Sequence, residues 1–105
     1  MKRRPGDIEG EADVLDALAV AISGLRGGVE VRAFLEDLCT PAELEAMADR
    51  WRVVPLLEQG VPYRQIHERT QVSVTTIGRV ARTIERGAGG YAAALRLQSR
   101  HPHSH

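Results

Sequence analysis

The spacing of apolar residues between Pro62 and Arg86 is the feature that most restricts the fold of this 105-residue chain. Ile66 and Thr70 lie four residues apart, which puts both on one face of a short helix. Apolar residues then recur at steps of three and four, at Val74, Ile77, Val80 and Ile84. These steps predict a second helix with one buried side. Two amphipathic helices joined by a tight turn predict a helix-turn-helix over about residues 62–86.

The second helix, over about residues 74–85, keeps a polar and positively charged side outward once its apolar side is buried. The outward residues are Thr75, Gly78, Arg79, Arg82 and Arg86. Ser73 precedes the helix, where its hydroxyl is placed to accept a hydrogen bond from a first-turn N–H. The start of such a helix usually meets base edges, whereas its arginines and Arg64 of the first helix reach phosphates. The pattern predicts binding of double-stranded DNA in the major groove. The residues predicted nearest the bases are Ser73, Val74, Thr75 and Gly78.

The distribution of charge favours the same function. The formal net charge is zero, but residues 1–60 carry seven Lys/Arg and twelve Asp/Glu, whereas residues 61–105 carry seven Arg and two Glu. The half with the excess of five positive charges therefore contains the helix-turn-helix. DNA binding needs a local basic face and not a basic protein, because counterions are released where the phosphates are contacted. An alternative stays open: a helical, homodimeric protein-interaction module whose basic face docks an acidic partner.

The rest of the chain also has helical periodicity, so the sequence predicts an all-α fold without strands. Further helices are predicted over Ile8–Leu25, Glu30–Leu38, Thr40 to about Leu57, and Tyr91–Arg100. Glycines at 24, 27 and 28 separate the first two, and Pro55 is expected either to kink the third or to break and restart it. Thr40 suits the N-cap of that helix and Pro41 its first position. The first helix is so apolar in its second half that a partner subunit is expected to cover it.

Length and composition bound the remaining possibilities. We predict a single helical domain over residues 7–100, between a flexible N-terminus at 1–6 and a disordered tail at 101–105. The tail alternates three histidines, for which disorder is favoured over a metal site. One cysteine, Cys39, no signal peptide and no apolar membrane span fit a cytoplasmic protein. No phosphate-binding loop, apolar acid pair or activated nucleophile predicts an enzyme.

Three segments resemble the Trp repressor superfamily, and most closely its YerC/YecD type. They are FLEDLCTPAELEAMADRWRV at 34–53, YRQIHERTQVSVTTIGRV at 63–80 and GAGGY at 87–91. The resemblance covers roughly residues 29–95. It implies an intertwined, all-helical homodimer whose two helix-turn-helix units enter successive major grooves. Such a protein is a transcription regulator of the bacterial nucleoid.

The resemblance also assigns site residues. The DNA-contacting positions of the family fall on Arg64, Val74, Thr75 and Gly78, and its corepressor pocket falls on Thr40, Arg50, Arg79, Val80 and Thr83. Val80 stands where the repressor has a glycine that leaves room for the indole ring. Tryptophan is therefore not expected as a corepressor, and no cofactor is predicted. The retained Arg50 and Arg79 leave open a response to a different small ligand.

Two positions in the hairpin depart from the common helix-turn-helix pattern. Gln71 occupies the turn position where glycine is frequent because φ is often positive. His67 stands where many such hairpins have a small residue against the second helix. We expect a slightly altered angle between the two helices, with His67 a partly exposed polar residue.

Overall fold

The computed structural model describes residues 11–100, and every regular element within that range is an α-helix. The helices are α1 (Glu11–Ser23), α2 (Gly27–Leu38), α3 (Pro41–Glu58), α4 (Tyr63–Thr70), α5 (Val74–Arg86) and α6 (Gly90–Arg100). The predicted all-α class is confirmed. The predicted flexible N-terminus at 1–6, the first residues of the predicted first helix and the histidine-containing tail at 101–105 lie outside the described residues.

The described chain divides into two compact units, with the boundary between Pro41 and Ala42. The first unit contains α1 and α2, and the second contains α4 to α6 together with all but the first residue of α3. The single domain expected from the sequence stays a prediction. The helix-turn-helix belongs entirely to the second unit, which also contains all the buried core residues of the described chain.

In the first unit, α2 begins three residues earlier than the sequence predicted. Gly27 and Gly28 are helical and do not separate the two helices, so the predicted start at Glu30 is wrong. The cause is local, because the Arg26 backbone N–H donates to Oε1 of Glu30 over 2.7 Å. That bond satisfies a donor just ahead of the first turn and supports a helix start that glycine propensity alone opposes.

In the second unit, α3 continues through Pro55 without a break. Of the two outcomes expected at Pro55, the break with a restart is therefore wrong and the kink stays a prediction. Pro41 begins the helix as predicted. Proline removes one helical hydrogen bond, but the adjacent Val53 and Val54 are completely buried. Packing of an apolar face supplies most of the stability of helices in proteins, so this burial outweighs the lost bond. The Pro55 carbonyl still accepts from the Gln59 N–H over 3.0 Å.

The core of the second unit joins α3 to both helices of the helix-turn-helix. Its buried residues are Val53, Val54, Ile66, Val72, Ile77 and Val80. The aromatic rings of Trp51 and Tyr91 pack beside this cluster, with ring centroids 6.3 Å apart and planes tilted by 37°. Tilted pairs at such a separation add to the stability gained from burial. Trp51 therefore serves as an anchor beside the core.

Gly87 is the C-cap of α5, where the chain comes too close to Thr83 for a side chain to fit. A Cβ at Gly87 would lie 2.6 Å from the Thr83 carbonyl oxygen and 2.8 Å from Thr83 Cγ2. We expect Gly87→Ala to lower the free energy of unfolding by roughly 1–3 kcal/mol, because the added methyl group has to displace backbone. Urea denaturation followed by circular dichroism measures the change.

Gly90→Ala is the matched control for that prediction. No described atom lies within 4 Å of a Cβ at Gly90, which is the first residue of α6. Its unfolding free energy should be equal to that of the wild type or slightly higher. Equal losses in the two variants would contradict the steric explanation.

Candidate nucleic-acid interface

The turn between α4 and α5 contains a non-glycine residue in the left-handed region. Gln71 has φ of 67°, which confirms the positive φ suspected from its position. Such a conformation costs on the order of 1 kcal/mol or more for a residue with a Cβ. Two hydrogen bonds to α4 hold it, from the Gln71 N–H to the His67 carbonyl over 2.7 Å and from Gln71 Nε2 to the Glu68 carbonyl over 3.0 Å.

Side chains of α4 also satisfy both backbone polar groups of Val72. The Val72 N–H donates to Thr70 Oγ1 over 3.1 Å, and His67 Nδ1 lies 2.8 Å from the Val72 carbonyl oxygen. A carbonyl oxygen only accepts, so Nδ1 of His67 carries a proton in this arrangement. Thr70 is buried and donates in turn to the Ile66 carbonyl over 2.7 Å. His67 is thus an exposed residue that braces the turn; its effect on the angle between the helices stays a prediction.

Ser73 is the N-cap of α5, as predicted. Its hydroxyl oxygen accepts from the Thr76 N–H over 3.1 Å and donates to Thr76 Oγ1 over 3.0 Å. A cap of this kind stabilises a helix by about 1 kcal/mol. The first turn of α5 is therefore fixed by its own side chains before any partner arrives.

The inner side of α5 is confirmed at three of its four predicted positions. Ile77 and Val80 are buried and Ile84 is partly buried, but Val74 is 51% exposed. The expectation that Val74 belongs to the buried side is wrong. Val72, two residues earlier, occupies the core at that end and leaves the first residue of the helix outside. Val74 accordingly shares the exposed edge with Thr75.

The arginines of the helix-turn-helix are exposed and have no carboxylate partner within the described residues. Arg32 pairs with Glu36 and Arg52 with Asp49, and neither ion pair lies in the helix-turn-helix. The exposed arginines of the two helices are Arg64, Arg69, Arg79, Arg82 and Arg86. Unpaired guanidinium groups on one hairpin supply the positive face that a polyanion requires.

Gly78 is the one predicted contact residue whose neighbours are informative. A Cβ at Gly78 would lie 3.9 Å from Tyr63 Cε2 and 3.9 Å from Arg82 Nη1, which is ordinary van der Waals contact. Glycine inside a helix costs about 1 kcal/mol relative to alanine. Nothing in the described fold requires that cost. Tyr63 is 41% exposed. It is not among the candidate site residues predicted from the sequence, although its position directly after Pro62 places it in the first turn of α4.

A separate pocket of about 400 Å³ opens beside α5. It is lined by Arg50, Arg79, Val80, Thr83 and Tyr91. The structure thus brings together four of the five predicted pocket positions, while Thr40 is an exposed residue of the first unit. Val80 is almost fully buried, and the Thr83 hydroxyl donates to the Arg79 carbonyl over 3.0 Å. Tyr91 was not predicted here, because it comes from the far side of a glycine-rich turn.

Other kinds of site find no support in residues 11–100. Their His, Cys, Asp and Glu side chains form no cluster of three or more that could hold a metal ion. None of their helices combines the length and the apolar character needed to cross a membrane.

Comparison with known proteins places this geometry in a family. The model of the Trp repressor protein family matches residues 13–99, and the chain belongs to that family of regulatory DNA-binding proteins. The uncharacterized protein YerC of Bacillus subtilis (strain 168) is 37% identical over 81 residues, which are 77% of this chain and 78% of that protein. The resemblance inferred from the sequence is confirmed.

A solved structure supports the same assignment. The crystal structure of a Staphylococcus aureus protein provisionally described as a Trp repressor superposes with a TM-score of 0.77 at 32% sequence identity. The match covers 83% of this chain and 87% of the other. The Trp-repressor-like fold, with its helix-turn-helix, is therefore confirmed as well.

Proposed function

We propose that this protein is a homodimeric transcription regulator that binds specific sequences of double-stranded DNA with α5 in the major groove. One observation carries the proposal: a capped helix packed on a core presents exposed arginines that no described carboxylate neutralises. Regulatory DNA binding is the character of the family, which supports the same conclusion. The sequence specificity and the dimer are the parts that experiment has to establish.

The exposed residues of the hairpin divide into two groups with different roles. The start of α5 offers short side chains that fit base edges, and Thr75 is exposed there beside Val74. The base-reading group is Ser73, Val74, Thr75 and Gly78. Guanidinium groups farther along α5 and on α4 bind phosphates and set the register of the protein on the duplex. The phosphate-binding group is Arg64, Arg79, Arg82 and Arg86.

Replacing Arg79 and Arg82 together by alanine tests the phosphate-binding group. Affinity should fall for every duplex, because fewer counterions are released when two phosphate contacts are lost. The slope of log affinity against log salt should decrease in magnitude by about two. Fluorescence anisotropy over a salt series measures both quantities. Thr75→Ala should instead change which sequences are preferred and leave the slope unaltered.

Arg96→Ala is the control, since Arg96 is an exposed arginine of α6 outside the helix-turn-helix. Its salt slope should equal that of the wild type. If the wild type bound no duplex at any salt concentration, the proposal would be wrong. The alternative of a module that docks an acidic protein would then stand.

Exposed apolar side chains in the first unit support the dimer. Val14, Leu15 and Val20 of α1 are each more than half exposed, and so is Val29 of α2. Apolar residues concentrated in this way usually mark an interaction surface. A DNA-binding dimer of this kind reads two half-sites about one helical turn apart.

The dimer predicts a solution mass of two chains, measured by light scattering after size exclusion. Val20→Glu should shift the mass towards one chain and weaken DNA binding, because it places a charge in an apolar contact. Asp16→Lys changes an exposed, already charged position of the same helix and should leave the mass unchanged. A wild type with the mass of one chain at micromolar concentration would contradict the dimer.

A second function is favoured by the pocket beside α5. Arg50 and Arg79 both line it, and two guanidinium groups suit a ligand with a carboxylate or phosphate group. We propose that such an anion modulates DNA binding. Tryptophan is not the proposed ligand, since Val80 forms part of the lining where the glycine of the repressor admits the indole ring.

We therefore expect millimolar L-tryptophan to leave the Kd for DNA unchanged. Calorimetric titration and anisotropy with and without the amino acid measure this. A panel of small carboxylates and phosphates serves as the comparison, and Arg50→Ala should abolish any response found in it. A tightening of DNA binding by L-tryptophan would contradict the role assigned to Val80.

A further inference from the structure

We propose that Gly78, Tyr63 and Arg82 form a seat for one DNA phosphodiester, which we call the Gly78 notch. The inference rests on the proposed DNA binding and adds to it the place and the groups of a single contact. By this argument Tyr63 becomes a contact residue, and Gly78 moves from the base-reading group to the phosphate-binding group. The three residues act as one unit.

The notch is defined by what surrounds the missing side chain of Gly78. Tyr63 Cε2 and Arg82 Nη1 each lie 3.9 Å from the point that a Cβ would occupy. Tyr63 is the first residue of α4 and Arg82 lies one helical turn beyond Gly78 in α5. A ring carbon of Tyr63 from α4 and a guanidinium nitrogen of Arg82 from α5 therefore both lie beside one point on the backbone of α5. A methyl group at that point would fill the space between them.

The fold itself gives no reason for glycine at this position. At Gly87 an added Cβ would strike backbone, whereas at Gly78 it would make only ordinary contacts. The φ of Gly78 is not in the left-handed region either. Alanine would fit and would favour the helix. The absence of the side chain is explained if an external group approaches α5 closely there.

The two flanking groups have the chemistry of a phosphate site. Arg82 is exposed and has no ion pair within residues 11–100, so its guanidinium is available for a charge-assisted hydrogen bond. Tyr63 is 41% exposed, and its hydroxyl has no hydrogen-bond partner among the described residues. The hydroxyl is attached to the ring carbon next to Cε2, so it lies two bonds from the atom that borders the Gly78 position. A phosphodiester has two unesterified oxygens and accepts from both donors at once.

A base edge suits the notch less well. The exposed side chains at the start of α5 are placed for bases, whereas Tyr63 and Arg82 reach in from two helices toward a point beside the axis of α5. Contact with a thymine methyl group would use the ring of Tyr63 but would leave its hydroxyl and the guanidinium unused. Phosphate binding uses all three features of the notch.

The experiment uses the full chain and a duplex selected by the wild type from a random pool. Gly78→Ala is expected to raise thermal stability and yet to weaken DNA binding roughly tenfold or more, the loss typical of a charge-assisted contact. Arg82→Ala should reduce the salt slope by about one, whereas Tyr63→Phe should weaken binding with the slope unchanged because a phenol is uncharged. Gly90→Ala, the control, should bind as the wild type does.

Methylphosphonate substitution identifies the phosphate. Each backbone position of the duplex is neutralised in turn, and binding by the wild type and by the variants is compared. At one position, the neutral linkage should weaken the wild type while Arg82→Ala and Tyr63→Phe cause little further loss. Combining Gly78→Ala with Tyr63→Phe should likewise cost less than the product of the two separate effects.

Two results would overturn the inference while leaving the proposed function intact. One is Gly78→Ala binding the selected duplex as tightly as the wild type. The other is a loss of binding that Tyr63→Ala causes, that Tyr63→Phe does not, and that disappears when a thymine is replaced by uracil; this would identify a base contact through the ring. A wild type that selects no duplex would instead end the proposed function itself.

Discussion

The attachment of Val72 to α4 is the interaction on which the rest of the hairpin depends. Its side chain is buried in the core, and its N–H and C=O groups are taken up by Thr70 and His67. A buried backbone N–H or C=O group without a hydrogen-bond partner lowers the stability of the fold. The turn therefore keeps this conformation only with these two hydrogen bonds in place. With Val72 fixed, the direction in which α5 leaves the turn is fixed too. The exposure of its arginine edge follows from that direction.

The parts of the fold that sequence predicted are those governed by local periodicity and capping. Ile66 and Thr70 are buried as their spacing indicated, and Ser73 caps α5 through its own hydroxyl. Local rules failed where tertiary packing or a neighbouring side chain decided the outcome. Buried neighbours carry α3 past Pro55, and a carboxylate three residues downstream starts α2 at Gly27.

The residues of the candidate nucleic-acid interface and of the pocket were also predicted only in part. Arginines at helical spacing indicated one exposed face, and all of them are exposed. Tyr63 and Tyr91 were not named as site residues because each lies on a different helix from the residues it adjoins. The spacing of residues within one helix does not give the distance to another helix. Val74 was counted both with the apolar side and with the residues nearest the bases, because periodicity does not say where a helix first emerges from the core. The residue types thus predicted a positively charged surface, whereas the packing of the helices determined which residues form it.

The hydrogen bonds of the turn have a consequence for how the chain folds. Each of them joins residues no more than five apart in sequence, from Ile66 with Thr70 to Ser73 with Thr76. Closing such short loops loses little chain entropy, and structures rich in local contacts cross their folding barriers quickly. An eight-residue helix such as α4 is too short to persist alone, but these bonds let it nucleate together with the start of α5. The helix-turn-helix is therefore expected to form early in folding, before the long-range contacts with α3 and α6.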